Sequence, residues 1–201
     1  MSTPRIAPLP PPFPESVQAA LDRIMPPGVP PLALFRTLAR NERVFLRLMA
    51  GGLLDRRSIS LREREIVIDR TCARCGSEYE WGVHVAFFAE RVGFSPEQVA
   101  ATAGGDPAAF AERERLLLRL VDELHDRAQV SDELWAALRA HFSEEQLIEL
   151  VALAGFYHLI SFVTNALRIP LESYGARFPR SPAPAGAGGG RSSPLSPEAG
   201  A

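Results

Sequence analysis

The segment from Glu65 to His84 holds the side chains of this 201-residue chain best suited to chemistry. The candidates are Glu65, Cys72, Cys75, Glu80 and His84, which supply two carboxylates, both cysteines of the chain and an imidazole. A carboxylate close to an imidazole is suited to general acid–base catalysis, whereas two neighbouring thiols are suited to redox chemistry. The order of these residues therefore indicates either a proton-transfer site or a thiol site.

The first half of this segment is predicted to be a helix. Ser60 with Glu63 matches a capping box, in which each residue bonds to the backbone N–H of the other, so the helix should begin at Leu61. It should run to about Cys75, because Gly76 suits the left-handed conformation that follows a helix end. Glu65 and Cys72 are seven residues apart and should share a face of this helix.

A second helix is predicted from Glu78 to about Val92. Ser77 with Glu80 again matches a capping box, a pattern that has a purely structural use as well. Glu80 and His84 are four residues apart and therefore lie on the same side of this helix. Because the connection is short, the two helices should be antiparallel neighbours, which would bring Glu65, Glu80 and His84 into one pocket.

The spacing of these residues resembles that of the carboxymuconolactone decarboxylase family, which includes alkyl hydroperoxidase D. In the hydroperoxidase branch, a glutamate lies twelve residues before the first cysteine of a Cys-x-x-Cys-x-x-x-His run. Aligning on His84 places Glu65 on the family glutamate, Ser77 on the first cysteine and Glu80 on the second. Tyr79 also fits a common family position. The chain therefore differs from that branch at both redox cysteines.

The resemblance extends in helix pattern from about residue 32 to residue 171 and implies the fold. It implies an all-α, compact helical array of the carboxymuconolactone decarboxylase and alkyl hydroperoxidase D type, which usually forms trimers or hexamers. We expect a proline-rich arm over residues 1–14, a single helical domain over residues 15–178 and a disordered Pro/Gly/Ala/Ser tail over residues 179–201. No strand pattern is convincing anywhere in the chain.

The remaining helices follow from apolar periodicity and from capping residues. They are predicted at 15–25, 32–40, 42–50, from Ser95-Pro96, at 107–127, from Ser131, and at 144–167. The last of these is the most apolar segment of the chain and is expected at the centre or at a subunit interface. His158 within it is expected to be a core or interface histidine, or else to complete the pocket together with Tyr157. His125 is expected to be structural or solvated.

Cys72 and Cys75 form a Cys-x-x-Cys motif five residues before the position that the family would use. They should lie in the last turn of a helix, where the helix dipole disfavours a thiolate, an effect that Arg70 and Arg74 offset in part. The alternative to a redox role is that both are small, half-buried apolar side chains. A thiol role is still open because Cys72 shares a face with Glu65.

Composition excludes several classes of function. The net charge of −2 and the absence of a basic stripe argue against a nucleic-acid partner. Two cysteines cannot build a disulfide framework, so we expect a cytoplasmic protein, and we expect neither a signal peptide nor a membrane span. We find no signature of a flavin, a nicotinamide or any other cofactor. Convergence of Glu65, Glu80, His84 and His158 on a metal is disfavoured, because no Glu-x-x-His pair exists.

Three functions remain after this reading. The preferred one is an enzyme of decarboxylase or lyase type that uses Glu65 and His84 as an acid–base pair on a small carboxylated or carbonyl substrate, with Glu80 orienting His84 and raising its basicity. The second is a thiol-dependent peroxidase that uses Cys72 and Cys75. The third is a non-catalytic oligomeric scaffold.

Overall fold

The computed structural model describes residues 3–51, 53 and 58–179. Across these residues it contains nine α-helices and no strand, which confirms the all-α prediction. The helices are α1 (Glu15–Ile24), α2 (Ala33–Leu38), α3 (Glu42–Gly51), α4 (Leu61–Arg74), α5 (Glu78–Phe88), α6 (Pro96–Thr102), α7 (Glu112–Arg127), α8 (Asp132–Arg139) and α9 (Glu144–Leu167). Except for Pro179, the predicted tail lies outside the described residues.

Helix α4 is the central element and packs against α5, α7 and α9. Its start is fixed by the predicted capping box: the Glu63 N–H donates to Ser60 Oγ, and the Ser60 N–H donates to Glu63 Oε2. Gly76 follows its end with a φ of +64°, a backbone conformation that favours glycine. Because α4 is covered on three sides, even its charged residue Glu65 is fully buried.

Two apolar clusters form the core. The larger one joins α4 to α6–α9, and its centre includes Ile66, Leu117 and Leu134. The smaller one joins α1–α3 to α5 and the C-terminal half of α9, through residues such as Phe45 and Ile160. A cavity opens where α1–α3 cover α5 and α9.

Two predicted helix boundaries were wrong. Helix α5 ends at Phe88 rather than at Val92. The predicted helix over residues 107–127 is divided into a 3-10 helix (Pro107–Ala109) and α7, because Phe110 between them adopts an extended backbone. That conformation buries the Phe110 ring in the larger cluster, in edge contact with Phe94 at a centroid distance of 5.7 Å. Burial of an aromatic ring thus outweighs continuation of the helix.

Helix α9 has the predicted bounds and the predicted apolar character. Among the described residues it is the one helix that could cross a membrane by length and composition alone, and 44% of its most apolar window is buried inside the protein. Core helices of globular proteins share these two properties. Its outer side exposes a stripe of Ile148, Leu159 and Phe162, with the small residues Ala152 and Gly155 between them.

The chain after α9 returns across α5. We call residues 172–178 the closing segment. The Ala176 N–H donates to the Gly82 carbonyl at 2.9 Å, and the Phe178 N–H donates to Glu78 Oε1 at 3.1 Å. A Cβ atom at position 82 would overlap with the Ala176 carbonyl oxygen, so this close approach requires glycine.

Candidate active site

His84 of α5 and Glu65 of α4 form a buried pair. His84 Nδ1 lies 2.7 Å from Glu65 Oε2, and the two residues are 5% and 0% exposed. The other oxygen of Glu65 accepts from Arg64 Nε at 2.8 Å and lies 2.7 Å from Arg64 Nη2. Glu65 therefore bridges two cationic side chains, which compensates for removing its charge from water.

The opposite edge of the His84 ring meets α9 and the preceding turn of α5. Its Nε2 atom lies 3.0 Å from the Tyr157 hydroxyl and 3.6 Å from Glu80 Oε1. Glu80 is 6% exposed, and its Oε2 atom is buried without a hydrogen-bond partner among the described residues. Buried polar atoms without a partner are uncommon in folded proteins, so this oxygen calls for a functional explanation.

Electrostatics favour the charged form of His84. Burial alone would lower its pKa, but the neighbouring carboxylates of Glu65 and Glu80 outweigh burial and raise the pKa to about 10. At neutral pH the ring is thus an imidazolium that donates from Nδ1 to Glu65 and from Nε2 toward Tyr157. Burial, together with the charges of Glu80 and Glu65, raises the pKa of Tyr157 well above its usual value, so Tyr157 stays a phenol.

Asp69 is a member of this cluster that the sequence analysis missed. It lies one turn after Glu65 on α4, is 1% exposed, and its Oδ1 atom has no partner among the described residues. Burial and the charge of Glu65 raise the pKa of Asp69 well above its usual value. The i, i+4 spacing from Glu65 was the available signal, but the same spacing is common on solvated helix faces.

The cavity beside this cluster has a volume of about 380 Å³. Its polar lining residues are Glu80, His84, Arg91 and Tyr157, and Glu65 lies behind His84 rather than on the wall. Arg91, which the sequence analysis also missed, brings a guanidinium that lies 5.1 Å from the centre of the Phe88 ring. The remaining lining is apolar: Ile24, Met25, Pro26, Leu32, Leu34, Phe35, Leu48, Met49, Val83, Phe87, Phe88, Phe156 and Ile160.

Ser77 and Tyr79 do not line the cavity. Ser77 occupies the N-cap position of α5, but its side chain makes no capping hydrogen bond, so the predicted capping box with Glu80 was wrong. Instead, its hydroxyl lies 2.7 Å from that of Thr164 in the buried contact with α9. The Tyr79 hydroxyl accepts from the Leu34 N–H and donates to Glu172, which fixes the closing segment.

The two cysteines also lie away from the cavity wall. Cys72 is fully buried, and burial with the nearby charge of Glu80 raises its thiol pKa well above the usual value. Cys75 is half-buried, and burial raises its pKa as well. Both thiols are therefore protonated at neutral pH, and the cause is burial.

His158 separates from its neighbour Tyr157. Tyr157 reaches the cavity, whereas His158 contacts His125, with His158 Nε2 lying 3.1 Å from His125 Nδ1. The predicted alternative that both residues complete the pocket is thus wrong for His158. For the same reason, His158 does not converge on a metal with Glu65, Glu80 and His84.

Donor atoms are close enough for a metal ion in two places within the described residues. One is the buried group of Glu65, Asp69 and His84, whose donor atoms lie within 4.8 Å of one another. Arg64 and the imidazolium of His84 already bring positive charge to Glu65, which disfavours a further cation there. The other is the group of Cys75, His125 and His158.

Comparison with known proteins agrees with this fold. The model of the carboxymuconolactone decarboxylase family matches residues 42–123. The chain is also 30% identical to the uncharacterized protein YnjA of Escherichia coli (strain K12). The alignment spans 131 residues, which are 64% of this chain and 72% of YnjA. The chain therefore belongs to the carboxymuconolactone decarboxylase family.

Solved structures share the helical array at low sequence identity. An uncharacterized peroxidase-related protein from Silicibacter sp. TM1040 superposes with a TM-score of 0.73 at 17% identity, over 86% of this chain and 96% of that one. An uncharacterized peroxidase-related protein with an alkylhydroperoxidase AhpD core, from Ralstonia eutropha JMP134, gives a TM-score of 0.65 at 18% identity, over 86% of this chain and 95% of that one. A variant of the debrominase Bmp8, in complex with 2,3,4-tribromopyrrole, gives 0.66 at 18% identity, over 87% and 94%. These similarities define the AhpD-like fold.

Proposed function

We propose that this protein is an enzyme of decarboxylase or lyase type that transfers protons to and from a small carboxylated or carbonyl substrate. The observation that carries the proposal is the pairing of His84 with Glu80 on the cavity wall, with Glu65 buried behind His84. A proton donor and an acceptor 3.6 Å apart can act on adjacent atoms of one substrate.

The geometry supports a division of roles that differs from the sequence-based assignment. Both carboxylate oxygens of Glu65 are engaged, one by Arg64 and the other by His84. The role of Glu65 is therefore to orient His84 and to keep it charged. Glu80 lines the cavity and has one oxygen without a hydrogen-bond partner among the described residues, so it suits the general base, while His84 Nε2 suits the general acid. In a decarboxylation, the electron pair of the broken C–C bond moves toward a carbonyl oxygen, where a proton from His84 stabilises the developing charge.

The cavity also supports a substrate class. Its lining is mostly apolar, and its volume of about 380 Å³ suits a small molecule. Arg91 contributes a guanidinium at the wall, a group that binds carboxylates in a bidentate geometry. A small carbonyl compound with an apolar body and a carboxylate matches these features.

The other two functions receive less support. A thiol peroxidase needs a thiolate at the substrate, but neither Cys72 nor Cys75 lines the cavity and burial raises the pKa of both. A scaffold has no need for the buried acidic pair Glu65 and Asp69, because burying charge beyond what packing requires costs stability.

We also propose that the protein is a homo-oligomer, a trimer or hexamer as the family resemblance implies. The exposed stripe of α9 supports this, since Ile148 and Phe162 are 71% and 64% exposed on a helix whose opposite side packs in the core. Large apolar side chains that recur on one helix face are typical of subunit contacts. Small residues between them allow a second helix to approach closely.

The test combines two assays with four variants. The purified protein is assayed on a panel of β-keto acids and carboxylated lactones, and separately for peroxide consumption with a dithiol reductant. His84→Gln and Glu80→Gln should each lower kcat on the acid substrate by about 100-fold or more, as expected for loss of a general acid or base. The double variant Cys72→Ala, Cys75→Ala should keep its activity.

The matched control is Glu90→Gln, an exposed carboxylate two residues beyond the end of α5, which should leave kcat unchanged. Peroxide turnover that disappears in the double cysteine variant would instead establish the thiol peroxidase. Full activity in both His84→Gln and Glu80→Gln would refute the acid–base assignment.

A further inference from the structure

We propose that Cys75, His125 and His158 form a binding site for a divalent transition metal of the zinc type. The three residues are far apart in the chain. Cys75 is the C-cap residue of α4, His125 lies on α7 and His158 lies on α9. One donor atom of each lies within 4.8 Å of the other two. The group is separate from the cavity, since none of the three residues lines it.

The separations of the donor atoms match a tetrahedral ion. Zinc binds sulfur at about 2.3 Å and imidazole nitrogen at about 2.0–2.1 Å, which puts a sulfur and a nitrogen about 3.6 Å apart and two nitrogens about 3.3 Å apart. Here Cys75 Sγ lies 3.8 Å from His125 Nδ1, and His125 Nδ1 lies 3.1 Å from His158 Nε2. These two separations are within a few tenths of an ångström of the tetrahedral values, and the third pair of donor atoms lies within 4.8 Å.

The hydrogen bonding of His158 prepares it as a ligand. Its Nδ1–H donates to the Ala154 carbonyl at 2.8 Å, and a carbonyl can only accept, so the lone pair of the neutral ring lies on Nε2 and faces His125. Metal-bound histidines are commonly oriented by such a bond from the other ring nitrogen. His125 Nδ1 lies close to both Cys75 Sγ and His158 Nε2. A proton on Nδ1 can be donated well to only one of these two atoms, whereas a metal ion can be bound by all three.

The surroundings admit a cation. Cys75, His125 and His158 are each half-buried, so an ion can reach them from solvent without unfolding the helices. Asp122 and Asp126 lie in this region and pair with Arg70 and Arg74, at 2.8 Å, 3.6 Å and 2.5 Å, so the local charge is nearly balanced before the Cys75 thiol ionises. Binding at neutral pH displaces the proton of the Cys75 thiol.

Three protein ligands leave the fourth tetrahedral position to water. An ion here would join α4, α7 and α9, two of which carry Glu65 and Tyr157 of the candidate active site. The site would thus stabilise the packing that supports the catalytic cluster. It would also hold Cys75 as a metal-bound thiolate, a use for this residue that does not require redox turnover.

The test uses the full-length, untagged protein after removal of metals with a chelator. Titration with Co²⁺ should produce a thiolate-to-cobalt charge-transfer band and the visible bands of a tetrahedral ion, with saturation at one equivalent and displacement by Zn²⁺. Cys75→Ser, His125→Gln and His158→Gln should each weaken Zn²⁺ binding by about 100-fold or more, beyond the effect of removing an outer partner. Cys72→Ser and His141→Gln should bind as the parent protein does.

Thermal unfolding with and without Zn²⁺ distinguishes a variant that has lost metal binding from a variant that has lost stability. The Tm of the parent protein should rise with Zn²⁺, and this rise should vanish in the three ligand variants while their metal-free Tm stays near that of the parent. Absence of a cobalt spectrum in the parent protein would overturn the proposal. A spectrum that survives Cys75→Ser and His125→Gln but disappears in Asp69→Asn would overturn it as well, and would move the ion to the buried acidic group.

Discussion

His84 Nδ1 lies 2.7 Å from Glu65 Oε2, and neither side chain has appreciable contact with solvent. The same carboxylate also holds Arg64, so the negative charge of Glu65 is shared by two cations. The pair joins α4 to α5 and fixes the edge of the imidazole ring that faces the cavity. It is therefore both a packing element and the part of the site that determines the protonation of His84.

A double-mutant cycle should show strong coupling between these two residues. Glu65→Gln and His84→Gln should each destabilise the protein, because each leaves a buried charge with one partner fewer. The double variant should be more stable than the sum of the two losses predicts, with a coupling free energy of about 1–3 kcal/mol by urea unfolding. The exposed pair Arg139–Glu144, at 3.0 Å, is the control and should couple by less than about 1 kcal/mol. Equal coupling in the two cycles would contradict this prediction.

Stability should fall as pH rises through the alkaline range because of His84. Its pKa is raised from 6.5 to about 10 in the folded protein, so the folded state binds more protons than the unfolded state between these two values. The stabilisation from His84 is fully present below pH 6.5 and is lost as pH approaches 10. Urea unfolding from pH 6 to 10.5 should therefore show a gap between the parent protein and His84→Gln that narrows with pH. A gap that stays constant would mean that His84 does not titrate as described.

The outer stripe of α9 should determine the oligomeric state. Phe162→Glu places a charge in the middle of the proposed subunit contact, where burial without a partner is unfavourable. Light scattering coupled to gel filtration should show an oligomer for the parent protein and a smaller species for this variant. Trp135→Glu on α8 is the control, because Trp135 is a large, 37% exposed apolar residue that lies off the stripe. A monomeric parent protein at micromolar concentration would refute the proposal.

Gly82→Ala should displace the closing segment from α5. The added methyl group overlaps with the carbonyl oxygen of Ala176, and backbone at that point can move only by giving up its hydrogen bond to Gly82. We expect a loss of about 1–3 kcal/mol in the free energy of unfolding, together with faster proteolysis near residue 176. Gly51→Ala is the control, since a Cβ atom there meets nothing within 4 Å. Equal stability of the two variants would argue against a tight closing segment.

The sequence predicted the helix pair and its acidic and imidazole residues because these depend on local signals. Ser60 and Gly76 mark the start and end of α4, and the short connection to α5 leaves few ways to place His84 other than beside α4. The all-α class followed from the same periodicity. What determines the protonation of His84 is also local in part, because Glu80 precedes it by one turn.

The errors concern residues whose roles depend on distant partners. Ser77 looked like a helix cap, but its hydroxyl is used by Thr164, 87 residues further along the chain. Phe110 interrupts a predicted helix because its ring is buried in the larger apolar cluster. No local sequence pattern reveals that burial. Asp69 was missed because an acidic residue on a helix is usually solvated, and its burial follows only from the packing of other helices on α4.

The position of Tyr157 in the chain has a consequence for biosynthesis. Tyr157 follows His84 by 73 residues, and the closing segment that covers α5 comes later still. On the ribosome, Glu65 and His84 therefore emerge well before the helix that seals them from water, since synthesis proceeds from the N-terminus. A nascent chain that stops short of α9 therefore exposes both its apolar core faces and its ionised pair to water, and exposed apolar surface of this kind makes an intermediate prone to aggregation.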